Sequence, residues 1–195
     1  MQFLDPPDSA VATRARELCA QVSPPFLINH ASRTYAWGSV LAYENDIRFD
    51  RELFYVASLL HDLGLTTKFD GPRCFEHESA AAATRFAADQ GWPAERRALL
   101  EEAIRLHMQA RVVVEDGPEA YLLSEATTCD VRGRWLHDID GAIRRHVLRQ
   151  YPRLDFKIEF LKMCEDQATR KPGCMRDIFL REGFAEKIRE APFDG

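Results

Sequence analysis

Residues that ligate metals recur in this chain where helical periodicity calls for apolar ones. Along most of its 195 residues apolar side chains return at i, i+3, i+4 and i+7, the stripe of a helix with one buried face. The stripe Phe54, Ala57, Ser58 runs into His61, Leu100, Ala103, Ile104 into His107, and Leu123, Ala126, Thr127 into Asp130. His30 leads Thr34, Trp37 and Leu41, and His77 heads Ala80, Ala81 and Thr84. A lone histidine on such a face is more often a hydrogen-bonded core residue. His146, which follows Ile139, Ala142 and Ile143 at the same spacing, is read that way. An aspartate is harder to place, because a buried carboxylate must be paired, protonated or metal-bound. Several such residues on separate helices facing one core need a shared compensation. A divalent cation provides it, and imidazole with carboxylate suits Zn, Fe or Mn.

The rest of the pattern predicts an all-α chain. Ser9 caps a first helix through Ala20, and a second runs from about Leu27 to Asn45. Asp50 caps a third, through about Leu63, stopped by Gly64. Further helices start at Glu76, at Trp92-Pro93 and at Asp116-Gly117-Pro118, then cover Asp138–Gln150, Asp155–Ala168 and the stretch after Pro172. The strand-like "RVVV" is short and flanked by helical patterns, so it reads as loop. No linker or repeat divides the chain, which predicts a single domain over 1–195. A net charge of −5 argues against a nucleic-acid partner, and no apolar run reaches membrane-spanning length. The N-terminus lacks the pattern of a signal peptide, and the five scattered cysteines read as free thiols of a cytoplasmic protein that needs no disulfide. A small-molecule substrate is the partner expected, and self-association into a homo-oligomer stays open.

"FYVASLLHDLGLT" holds the most informative pair. Successive helical residues diverge by about 100°, so His61 and Asp62 can serve one ion together only at a helix end, with a glycine to allow the exit. "LLHDLG" with His30 upstream and His107 and Asp130 downstream resembles the H…HD…D motif of the HD-domain superfamily of metal-dependent hydrolases. The segments "HASRTYAWG", "LLHDLGL", Phe75-Glu76, "EAIRLH", "DVRG" and "YPRLDFK" are similar to the cyanamide-hydratase-like branch of that superfamily, over about residues 26–162. Two positions depart from that branch: Ala31 stands where it usually has Ser, and His77 where it has an apolar residue.

The resemblance implies an HD-domain helical bundle with a buried metal site and helical extensions at both ends. It implies His30, His61, Asp62 and Asp130 as ligands of one ion, with His77 and His107 either lining the pocket as proton donors or holding a second ion. It also implies a metal-bound hydroxide that attacks a small substrate, with Asp62, Lys68, Glu76, His77 and His107 as candidate catalytic residues. Arg33, Lys68 and Phe75 are candidates for substrate binding. Arg33, one turn after His30, also reads as an intramolecular ion pair. One ion and hydration or hydrolysis chemistry is the favoured reading. The alternatives are a dinuclear HD phosphohydrolase or phosphodiesterase, a di-iron oxygenase, and a metal-stabilised module without turnover. Leu65 stands where many nucleotide phosphohydrolases of the superfamily carry Lys, which tilts away from nucleotide hydrolysis.

Overall fold

The computed structural model describes residues 2–193. Among them the regular elements are helices only: α1 (Ala10–Val22), α2 (Pro25–Glu44), α3 (Arg51–Leu60), α4 (Phe75–Asp89), α5 (Ala94–Leu106), α6 (Pro118–Arg132), α7 (Gly141–Gln150), α8 (Phe156–Arg170), α9 (Met175–Arg181) and α10 (Phe184–Arg189), with short 3-10 turns between. The all-α expectation holds, and no described helix is long and apolar enough to cross a membrane. Local chemistry sets the starts. Ser9 Oγ accepts from the Ala12 amide, Asp50 Oδ1 from Glu52 and Leu53, and Asp140 Oδ1 from Ala142 and Ile143. Pro25 and Pro118 open α2 and α6, where a missing amide proton costs nothing.

The helices α2 and α6 pack along one another at the centre, α3 lies against both, and α4 pairs with α5. The outer helices α8, α9 and α10 pack mutually, and α8 also reaches α2. Leu53, Phe54, Val56, Leu60, Leu100 and Leu122 fill the main core. A second apolar cluster, with Leu27, Phe75, Phe156, Phe160, Phe184 and Ile188, joins the C-terminal helices to the centre. The C-terminal extension is therefore a wall of the molecule rather than an appendage.

Two expectations fail. The helix α3 stops at Leu60, with His61 as its cap, and Leu63–Leu65 form a 3-10 turn. The chain also has a disulfide between Cys74 and Cys174, which cap the N-termini of α4 and α9 and lie 5.5 Å apart at Cα. The free thiols are Cys19, Cys129 and Cys164, all buried. With one cysteine pair oxidised, thiol content no longer supports a cytoplasmic location.

The close turn after the HD pair has a clear reason. The Gly64 amide donates to Ser79 Oγ at 2.8 Å, drawing the turn onto α4. A Cβ at Gly64 would collide with the backbone carbonyl of Phe75, which cannot swing aside as a side chain would. Gly64→Ala is expected to cost about 1–3 kcal/mol, read from the midpoint of urea unfolding. An unchanged midpoint would mean that the two segments part without penalty.

Candidate metal centre

Helix α2 carries His30, and the end of α3 carries His61 and Asp62. All three are buried, with relative exposures of 1%, 1% and 5%. His30 Nε2 and His61 Nε2 stand 3.3 Å apart. Asp62 Oδ2 lies 3.5 Å from the first and 3.3 Å from the second. The three groups each offer a ligand atom, and these atoms lie within 4.8 Å of one another.

The far sides of the two rings decide what faces inward. His30 Nδ1 meets Asp130 Oδ2 at 2.8 Å, and His61 Nδ1 meets the Ser58 carbonyl at 2.8 Å. Both partners are acceptors, so each Nδ1 carries the proton and each Nε2 presents a lone pair. Two lone pairs and a carboxylate oxygen thus converge in a buried space, and Asp62 Oδ2 has no hydrogen-bond donor. Such a constellation requires a proton or a cation. Without a cation the proton goes to His61. Burial opposes its charge, but attraction to Asp62, the hydrogen bond that the protonated ring donates to that carboxylate, and the Ser58 carbonyl outweigh burial and raise its pKa. Burial wins at His30 and lowers it, against Asp130 and Asp62. At Asp62 burial is outweighed by the neighbouring imidazoles, chiefly His61, and the carboxyl sits below its usual range. The donor set fits a divalent cation: two imidazoles and a carboxylate, each ring oriented by a hydrogen bond behind it.

Asp130 does not take the place expected of it. It is wholly buried, on the opposite side of the His30 ring from Asp62. Its Oδ1 accepts from Arg33 Nε at 2.7 Å and Trp37 Nε1 at 2.8 Å, and its Oδ2 accepts from Arg33 Nη2 at 2.8 Å as well as from His30. Arg153 adds bonds to the Asp130 carbonyl at 3.1 Å and to Oδ1 at 3.4 Å. A carboxylate so occupied holds His30 from behind and lies outside the group formed by His30, His61 and Asp62. Arg33 is likewise spent, with Nη1 donating to the carbonyls of Tyr151 and Pro152, so it is the intramolecular ion pair and not a substrate contact. The "YPRLDFK" segment thereby holds Arg33 and Asp130 from outside, while Phe156 stacks on the His30 ring at 4.8 Å.

A cavity of about 550 Å³ opens onto His30, His61, Asp62 and His107. The rings of His61 and His107 lie 5.1 Å apart. Burial, then repulsion from His61, pushes the His107 pKa down to about 3, so this imidazole is neutral near pH 7. Its Nδ1 points at the Ile104 carbonyl. The other candidates are elsewhere. His77 is half-buried on α4 and does not line the cavity where His107 lies. Lys68 is exposed, with its ammonium over the Phe69 ring. Glu76 is buried in the first turn of α4, where a carboxylate meets the helix dipole, and also lies off the cavity. Phe75 packs behind His107 and is not a lining residue.

The cavity is lined instead by residues the motif reading passed over, among them Tyr121, Ser124 and Thr127 of α6 and Arg176 and Phe179 of α9. Thr127 was within reach of that reading, since it precedes Asp130 by one helical turn on the same stripe. Nothing in the pattern around Arg176 marks it. No family model matches the chain, and no curated protein matches it.

Proposed function

We propose that this chain is a metal-dependent hydrolase or hydratase of the HD-domain type, acting on a small substrate in the cavity above His30, His61 and Asp62. The observation that carries the reading is the convergence of His30 Nε2, His61 Nε2 and Asp62 Oδ2, all three free of hydrogen-bond donors other than one another's shared proton. Three protein ligands leave coordination positions open, as catalytic sites require. A divalent ion there supplies Lewis acidity and a more acidic water. Asp130, itself fixed by Arg33 and Trp37, keeps the His30 Nε2 lone pair directed inward. The Ser58 carbonyl does the same for His61. The neutral His107 at the cavity wall is placed to accept a proton from water or substrate and to return it to the product. The position of His77 favours one ion over two, and with it hydration or hydrolysis over di-iron oxidation.

Elemental analysis of protein purified without added metal tests this. The expected ratio is one divalent ion per chain, lost in His61→Ala and in Asp62→Ala and kept in His77→Ala. Full metal content in a His61→Ala, Asp62→Ala double variant would remove the site. A ratio near two that falls to one in His77→Ala would move the assignment to a dinuclear centre.

A further inference from the structure

Among the described residues, Arg176 is the one buried charge at the cavity that no counter-charge explains. It belongs to α9, outside the segment that resembles the HD-domain family, and only 3% of its surface is exposed. Among the described residues no carboxylate lies within 4.0 Å of its guanidinium, and its buried Nε has no hydrogen-bond partner. Three aromatic rings surround the guanidinium carbon instead: Phe75 at 4.9 Å, Phe160 at 5.2 Å and Phe184 at 5.3 Å. Aromatic faces attract a guanidinium but supply no acceptor for its N–H groups. Leaving a buried charge without an ionic partner is costly, and the neighbouring arginines show the usual solution, with Arg33 and Arg153 both on Asp130. Arg176 is the exception, and it lines the cavity.

We infer that Arg176 is a carboxylate-binding subsite: the substrate carries a carboxylate that pairs with this guanidinium while its reactive end faces His61, Asp62 and His107. This rests on the proposed function for its catalytic meaning, though the subsite itself stands on Arg176 alone. The rings occupy the guanidinium's faces, so what remains is its edge. Nε is sealed from the cavity, so the open edge is the one between the two Nη groups, which presents two parallel donors to match a carboxylate. The whole lining agrees. Its side chains include five basic groups (Arg111, Arg132, Arg134, Arg176, Lys187) against three acidic ones (Asp62, Glu125, Glu182), in a chain whose net charge is −5. One of the basic groups, Arg134, is neutralised by Glu125 at 3.2 Å, which leaves the excess with the others. Two of the rings around Arg176 also flank the candidate site, Phe75 at 5.8 Å from the His107 ring and Phe160 at 5.7 Å from the His30 ring, so a carboxylate seated on Arg176 lies close to the reacting groups.

The test is titration of the full chain with acetate, followed by calorimetry, alongside Arg176→Met and Arg176→Lys. Methionine keeps much of the packing against the three rings, and lysine keeps the charge without the fork. The expected result is saturable acetate binding that weakens by about 10-fold or more in Arg176→Met and less in Arg176→Lys. If the methionine variant does not fold, the Nε–H resonance of Arg176 in the wild type gives the same answer, since it must shift with acetate on the same isotherm. No saturable binding, or binding equal in wild type and Arg176→Met, overturns the inference. So does inorganic phosphate binding through Arg176 where acetate does not. Repeating the titration after chelation separates the two readings. Binding that survives chelation and depends on Arg176 keeps the subsite even if no metal is ever found. Binding that vanishes with chelation and ignores Arg176 places the anion on the metal and refutes the subsite alone.

Discussion

Asp130→Ala is expected to destabilise the fold by about 3–5 kcal/mol, the effect of stripping one partner from a buried ion pair. Arg33 is fully buried, and two of its three nitrogens would lose their acceptors at once. Trp37 Nε1 would lose its acceptor too, and Arg153 one of its contacts. The loss is expected to reach the candidate site through His30, whose Nδ1 would no longer be held. Metal affinity should then fall by about 10–100-fold, the usual effect of removing a partner behind a ligating histidine. Urea unfolding and metal titration of the variant measure the two effects. Asp130→Asn is the informative companion, because it keeps the shape and removes the charge. A loss below about 1 kcal/mol in Asp130→Ala would show that water replaces the carboxylate, and the reading of Asp130 as the anchor of His30 would fail with it.

The second large effect is expected from reduction. The Cys74–Cys174 bridge closes a loop with a sequence separation of 100. Cross-linking so long a loop restricts the unfolded chain enough to be worth up to about 4.7 kcal/mol, and native disulfides typically contribute about 2–5 kcal/mol. Reductant, or a Cys74→Ser, Cys174→Ser double variant, should shift the urea midpoint accordingly. A local consequence should accompany the global one. Cys174 caps α9 two positions before Arg176, so the reduced protein should hold that wall of the cavity less firmly. Identical unfolding curves with and without reductant would leave the bridge without a thermodynamic role.

The parts of this structure that were legible in the sequence are those written in one helix at a time. The stripes that end on His61 and His107, and the stripe that His30 opens, do turn those side chains toward one cavity, because burial of the apolar residues fixes the orientation of the polar one. The caps Ser9 and Asp50 were legible for the same reason. What could not be read was anything that depends on which helix lies opposite. Asp130 sits on a core stripe as its pattern says, yet its role is set by Arg33, 97 residues away. His77 heads an apolar stripe but faces off the cavity, since α4 packs on α5 and its first turn is drawn to the turn at Gly64. An odd number of cysteines excludes full pairing but says nothing of a single bridge, which needed the N-termini of α4 and α9 to meet. Lys68 lies just past the HD turn in sequence, and the chain there bends out to solvent.

The disulfide also changes what cutting the chain would do. Residues 74–174 form a closed covalent ring that includes α5, α6 and the exposed stretch at Gln109–Arg111 beside the cavity. A protease that enters there opens the ring but releases no fragment. The two pieces stay one molecule, separable on a denaturing gel only after reduction, and the groups on α2, α3 and α9 keep their covalent connection across the break.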